Sequence, residues 1–427
     1  MSMPFGLDDA KAREIARSCV ASKLPPLPKD DVDLVGTGAL DSMGWVDVLV
    51  SIEATAGIRD FGNPWPENRP KTMATLAAMI REAQVSSPEE LPLMGPKEPA
   101  HGEWEIVIEG WGTALGSLTA DAEQIEHDLA LPARKIREGA GIQSVRLADD
   151  SEDELVLGQR AAEMALGRAD ITVDEIDFLV ATSSTFLGFP SFAASLHSRL
   201  LLPEASGALD AGGACVGLIY SLAVAKGLLS TRPQGVALVI AAEVHSRKLN
   251  APHVLGEFRG LFGDGACAFI LRSIGAAARN SRLRLQEFVW GCSGTFASSL
   301  HVSISENAGV SVQFGGEQLA HAAVTQLVRV IGTLENLSAR PRGEVDYFAL
   351  HQPNPRVVEI LAEKAKIPLV RIPLISKTCG NLGSVTCGVG LSQALTNLCT
   401  VRDSSRTPLV FMAAVAPGLL WGGAILG

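Results

Sequence analysis

Apolar positions along the chain change their period once, after about residue 100. Before it they fall at helical spacing. The pattern predicts a helix over Asp8–Ala21 with Ile15 and Val20 inward. A second spans Ser42–Thr55 with Met43, Val46, Leu49, Val50 and Ile52 in register. A third spans Thr72–Ala83 with Met73, Leu76, Met79 and Ile80 behind Thr72 as N-cap. After it come apolar runs of strand length: Glu105–Ile108, Phe178–Ala181, Val236–Ala241, Ala266–Leu271, Tyr347–Leu350 and Leu409–Ala413. Helical patterns such as Glu154–Gly167 and Val357–Lys366 lie between them, which predicts an α/β unit whose strands are covered on both faces. The alternation occurs twice, about 103–280 and 281–427, so two duplicated halves are expected. Between the two regimes, residues 85–102 hold four prolines and no apolar period. They read as a linker that separates a small all-α unit, 1–84, from a large one, 103–427.

Composition narrows the function classes. A chain of 427 residues with 47% hydrophobic and 19% charged residues can bury more than one core. A net charge of −11 with no basic run argues against nucleic acid as a partner. The seven cysteines are scattered, without a C-x-x-C pair, which fits a reducing compartment and neither a disulfide scaffold nor a metal site. Met1–Asp9 lacks the pattern of a signal peptide, and no uncharged run approaches the ~20 residues of a membrane span. A cytoplasmic protein with no membrane partner is expected.

The strongest chemical signal is Leu209-Asp210-Ala211-Gly212-Gly213-Ala214-Cys215-Val216-Gly217-Leu218. Small residues let a substrate approach the sulfur, and the helix that follows sets partial positive charge beside it. That favours thiolate and makes Cys215 a candidate acyl-accepting nucleophile. The plainer reading is a small core hydrophobe. Two further candidates are His351, directly after an apolar strand, and Asn381, in the glycine-flanked Cys379-Gly380-Asn381-Leu382-Gly383-Ser384. In the small unit Ser42 follows Gly38-Ala39-Leu40-Asp41; its plainer role is to cap the second helix.

The Asp41-Ser42-Met43 motif, the acidic loop before it and the helix after it resemble acyl and peptidyl carrier proteins. The resemblance covers nearly all of 1–84 and implies 4'-phosphopantetheine on Ser42, attached by a phosphopantetheinyl transferase. Between Asp30 and Asp60 seven acidic residues face one basic residue, Arg59, a bias suited to basic docking patches.

Cysteine, then His351-Gln352-Pro353-Asn354, then Gly380-Asn381-Leu382-Gly383-Ser384 resembles the β-ketoacyl synthase III branch of the thiolase superfamily. Gly188-Phe189-Pro190-Ser191, Phe262-Gly263-Asp264-Gly265-Ala266 and Pro417-Gly418-Leu419-Leu420-Trp421-Gly422 match in the same order. The resemblance implies a five-layered αβαβα thiolase-like fold and a homodimer. By it Cys215 takes an acyl group as a thioester. His351 and Asn381 stabilise the enolate of a second, malonyl-type substrate as carbon dioxide leaves, and Arg356 helps dock an acidic carrier.

Two departures stand out. Where coenzyme A-loading bacterial members carry a Trp and an Arg, this chain has Lys135 and Gly139, which implies weak coenzyme A binding and delivery by acyl-loaded carrier proteins. Pro417 replaces a glycine whose N–H helps hold the acyl oxyanion, and proline has none. The expectation is a carrier-fused condensing enzyme of polyketide or specialised fatty-acid synthesis, without a metal. A non-decarboxylative acyltransferase on the same fold, or a carrier and docking subunit on an inert scaffold, are the alternatives.

Overall fold

The computed structural model describes residues 8–58, 61, 65, 69–83, 104–249, 259–275, 283–294, 300–305, 309–314, 316–400 and 407–427. The expected linker, 85–102, lies outside the described residues.

The three N-terminal helices form where the periodicity places them: α1 (Asp9–Ala21), α2 (Ser42–Ala56) and α3 (Met73–Glu82). Each starts on a side-chain cap, from Asp8, Asp41 and Thr72. The cap of α2 is thus Asp41, whose carboxylate accepts from the Gly44 N–H at 2.7 Å, and not Ser42, which is the first residue inside the helix. Ile15, Val20, Leu34, Trp45, Leu49, Ile52, Leu76 and Ile80 close a common core, with Trp45 edge-on to Trp65.

Among the described residues the remainder is built on two large sheets, with two two-stranded ones beside them. The first holds β1 (Trp104–Leu115), β2 (Phe178–Thr182), β3 (Gly207–Asp210), β4 (Val236–Val244) and β5 (Asp264–Gly275), in the order β1-β5-β4-β2-β3. The second holds β6 (Leu285–Cys292), β7 (Tyr347–Leu350), β8 (Val410–Ala416) and β9 (Leu420–Leu426), in the order β7-β8-β9-β6. Strand β5 outruns its apolar core at both ends because it pairs with β1 along its length. Arg272 stays in it by bonding Glu109 of β1.

Core residues alternate along each central strand. In β4, Ala237, Val239 and Ala241 face the interior between the sheets, while Leu238, Ile240 and Ala242 face outward. In β8, Met412 and Ala414 face in, and Phe411 and Ala413 face out. Both faces are therefore apolar, which is why the runs read as continuous. Helices α5 (Gly217–Leu229) and α8 (Val385–Thr400) fill the middle layer. Helix α4 (Glu154–Ala169) covers the first sheet outside, and α6 (Gly316–Ser338) and α7 (Pro355–Ala365) cover the second. The result is the expected five-layered αβαβα arrangement.

Candidate active site

Cys215 lies in a short turn, Ala214–Val216, that leads into α5 and packs against β8 and β9. The turn is tight. Gly213 has φ 142° and Ala214 φ 47°. A Cβ at Gly213 would sit 2.9 Å from the Tyr220 ring, and one at Gly217 would sit 2.3 Å from Thr182 Oγ1. The small residues flanking the cysteine are thus needed by backbone and packing alike. The expectation that the helix start favours thiolate meets two opposing effects. Burial, and after it the Glu243 carboxylate, push the Cys215 thiol up to about 12 against the opposing pull of its own backbone N–H. The residue as a whole keeps partial exposure.

His351 follows β7, and its backbone N–H bonds Ala413 O of the neighbouring β8 at 2.9 Å. The rest of its motif is structural. Gln352 accepts from Ser376 and donates to Pro373 O at 2.6 Å, and Asn354 caps α7 by accepting from the Val357 N–H at 2.9 Å. The His351 ring is almost fully buried, 3% exposed, which draws its pKa down to about 4. A hydrogen bond with the Gly383 backbone opposes this, and His245 adds to it. The imidazole is neutral at physiological pH, and its Nδ1 has no partner among the described residues.

Asn381 is pinned from both sides. Its N–H bonds Leu261 O at 2.7 Å, and its carbonyl accepts from the Gly263 N–H at 3.0 Å. Its Oδ1 accepts from the Gly383 N–H at 2.9 Å, leaving the amide NH2 as a donor. Gly383 (φ 58°) therefore joins His351 and Asn381.

Glu243 and His245, at the end of β4, are site groups that the sequence reading missed. Glu243 is fully buried and accepts from the Ser184 N–H at 2.9 Å and from the Ser384 hydroxyl at 2.7 Å. A Cβ at Gly383 would lie 2.6 Å from His245 Cε1, so this ring backs the Asn381 loop. The signal available in sequence is an acid and a histidine closing an otherwise apolar strand. The structure thus brings Cys215, His351 and Asn381 to one buried region between the sheets, with Glu243 linking the cysteine to the Asn381 loop.

Arg356 sits in the first turn of α7 and donates to Asp41 Oδ2 at 2.5 Å. The Lys135–Gly139 segment is a single wide helical turn anchored by Glu126, which accepts from the Ile136 N–H at 2.7 Å. Gly141, just beyond it, abuts Pro355 and Arg356. Ser42 is partly exposed, next to Asp41. Pro417 directly follows β8 and opens the turn Pro417–Leu419, in which Gly418 has φ 78°.

The model of the family described as 3-oxoacyl-[acyl-carrier-protein (ACP)] synthase III matches residues 209–294, and the model of its C-terminal part matches 338–427. A β-ketoacyl-[acyl-carrier-protein] synthase III from Pasteurella multocida is 31% identical over 300 residues, 68% of this chain and 89% of its own. The chain belongs to the β-ketoacyl synthase III family. It is an acyl-transferring condensing enzyme. The crystal structure of 3-oxoacyl-[acyl-carrier-protein] synthase III from Aquifex aeolicus superposes with TM-score 0.65 at 25% identity, over 75% of this chain and 99% of that one. A cerulenin-bound structure of OleA from Xanthomonas campestris superposes with TM-score 0.67 at 18% identity, over 78% and 99%, a likeness of fold. The synthase III models begin at residue 209 and leave the three N-terminal helices unmatched.

Proposed function

We propose that this synthase III carries an acyl group on Cys215 and condenses it with a carrier-bound malonyl- or β-ketoacyl-type nucleophile, and that residues 1–84 are a fused carrier unit modified on Ser42. What supports the first part is the synthase III family match together with the placement of Cys215 on a turn packed against β8 and of His351 bonded through its backbone to that same strand. The Cys215 sulfur forms a bond to the incoming acyl carbon while the donor's carbon–sulfur bond breaks, and the Cys215 proton ends on the departing thiol. Neutral His351 can take that proton in passing. In the second half a malonyl-type nucleophile loses its carboxylate as carbon dioxide, whereas a β-ketoacyl-type one, which has no carboxylate, gives up its acidic α-proton to a base; either way an enolate forms. His351 and the Asn381 amide then donate to the enolate oxygen. The enolate carbon bonds to the acyl carbon as the bond to the Cys215 sulfur breaks, and the released thiolate takes up a proton from water to return to the resting thiol. Neutral donors favour that developing charge over the uncharged ground state.

Ser42 fits a phosphodiester. It opens a helix, where backbone N–H groups and the dipole favour phosphate, and it is partly exposed. When attached, 4'-phosphopantetheine supplies a terminal thiol for acyl thioesters. Lys135 and Gly139 offer neither ring stacking nor a guanidinium, which supports carrier delivery over coenzyme A. Polyketide or specialised fatty-acid synthesis follows as the setting. A homodimer is part of this reading; the exposed Leu187 and Phe189 suit a second copy.

Pro417 favours one second reading. It removes an N–H at the end of the strand that packs on the Cys215 turn, so the oxyanion rests on fewer donors. Transfer to an alcohol, amine or thiol without loss of carbon dioxide is that reading. Intact-mass analysis after treatment with a phosphopantetheinyl transferase, then with malonyl- and acyl-carrier donors, decides among these. Mass added at Ser42 and at Cys215 with stoichiometric carbon dioxide supports the condensing enzyme. Product without carbon dioxide supports the second reading, and no acylation of Cys215 sinks both.

A further inference from the structure

Helix α2 is buried on two sides. Trp45, Val48, Leu49 and Ile52 fill the core it shares with α1 and α3. Val46 and Val50 lie on the opposite side, 0% and 5% exposed, against Val324 of α6 and Val357 and Ile360 of α7. A free-standing three-helix unit would leave that side to water. Polar contacts run along the same seam. Arg356 donates to Asp41, and Lys364 Nζ donates to Ser51 Oγ at 2.6 Å and lies 3.7 Å from Asp47 Oδ1. The Thr325 hydroxyl donates to Glu53 Oε2 at 2.9 Å. His321 Nε2 lies 3.2 Å from Glu53 Oε1 without hydrogen-bond geometry. The acidic face of α2 therefore meets cations of its own chain.

These contacts fix the direction of α2 on the large unit. Its Asp41 end, next to Ser42, abuts the start of α7, and its Glu53 end abuts α6. From His351 to Arg356 is five residues, at most about 18 Å of extended chain. The Gly141 segment forms the other wall of that corner, with a Cβ position 3.6 Å from Arg356 Cγ. We propose that the α2 seam on α6 and α7 holds Ser42 at the entrance of its own chain's site, so that Ser42 serves Cys215 of the same chain and not that of another. The inference rests on the reading of Ser42 as the modified serine. The transfer is a thioester exchange: the bond from acyl carbon to carrier sulfur breaks as the bond to Cys215 sulfur forms, and the Cys215 proton passes to the released thiol.

The test uses full-length chains. A phosphopantetheinyl transferase with butyryl-coenzyme A loads Ser42, checked by mass before transfer is measured; an unshifted mass sinks the carrier reading itself. Acylation of the Cys215 peptide is then followed against dilution. The wild-type rate is expected to be independent of protein concentration. Loaded Cys215→Ala mixed with Ser42→Ala at micromolar concentration is expected to be slower by about two orders of magnitude or more, since a short tether is equivalent to millimolar partner. Wild-type rates in that mixture, or in co-expressed dimers holding one chain of each variant, overturn same-chain service. A readout without loading comes from hydrogen exchange of α2. The Arg356→Glu/Lys364→Glu variant is expected to lose protection over residues 46–53, with α1 and α3 unchanged. Unchanged protection there overturns the seam.

Discussion

The Ser384 hydroxyl donates to the fully buried Glu243 carboxylate at 2.7 Å, tying the loop that carries Asn381 to the end of β4 beside Cys215. The carboxylate is also the charge that holds the Cys215 thiol up after burial has done so. Glu243→Gln removes the charge and keeps the shape. Its NH2 would face the Ser184 N–H or a hydroxyl, so about 1–3 kcal/mol of stability is lost. The Cys215 pKa should fall, and alkylation of its peptide by iodoacetamide at pH 8 should quicken several-fold. A rate equal to wild type would show that Glu243 does not act on the sulfur.

Reactivity order is a second expectation. Cys399 is exposed, whereas the Cys215 thiol is desolvated and protonated. In the unacylated protein at pH 8, Cys399 should be alkylated first. The Cys215 rate should still be climbing with pH beyond 9, where an ordinary thiol levels off. A Cys215 rate that saturates near pH 7 would restore the thiolate expected from its helix position.

That contrast between helix start and burial marks the reach of local sequence. Six strands of the two sheets were legible as apolar runs, whereas Gly207–Asp210 and Leu285–Cys292, which keep exposed positions, and the glycine-broken Leu420–Leu426 were not. Cys215 stood out because its tight turn demands small neighbours, and His351 and Asn381 stood out through the order in which their motifs follow it. The thiol's state was not legible, because the helix dipole is local, whereas desolvation and Glu243 arrive from other elements. The cap of α2 was ambiguous because Asp41 and Ser42 are adjacent good caps. Gln352 and Asn354 are held by Pro373, Ser376 and their own helix, which a motif does not reveal. The seam had a signal in plain view: Val46 and Val50 widen the apolar stripe of α2 beyond what one small core needs.

His351 gives a pH dependence with a definite sign. Its folded pKa, about 4, lies below the ordinary 6.5. Between those values the unfolded chain binds a proton that the folded chain refuses. Stability from this group therefore falls as pH drops through 6.5 and levels off near 4, with a loss of about 2 kcal/mol at pH 5. Urea unfolding at pH 7 and pH 5 should show that loss in wild type and not in His351→Gln. Equal pH dependence in both would mean that the ring is not buried neutral.

Asn381 separates the two half-reactions. Its Oδ1 is engaged by the Gly383 N–H, so what it offers a substrate is the NH2. Asn381→Asp keeps that acceptor and replaces the donor with a carboxylate oxygen, which repels a developing enolate. Loading of Cys215 requires only the sulfur and a route for its proton, so the acyl mass on Cys215 should form at near wild-type rate. Condensation with a malonyl-carrier donor should drop by roughly 10²–10³, the effect of losing one such donor. Carbon dioxide release should fall with it, because decarboxylation generates the charge that Asn381 would stabilise. Acyl loading that fails together with condensation would instead place Asn381 in the first half-reaction or in the integrity of the site. Circular dichroism and the Cys215 alkylation rate of the variant tell those two apart.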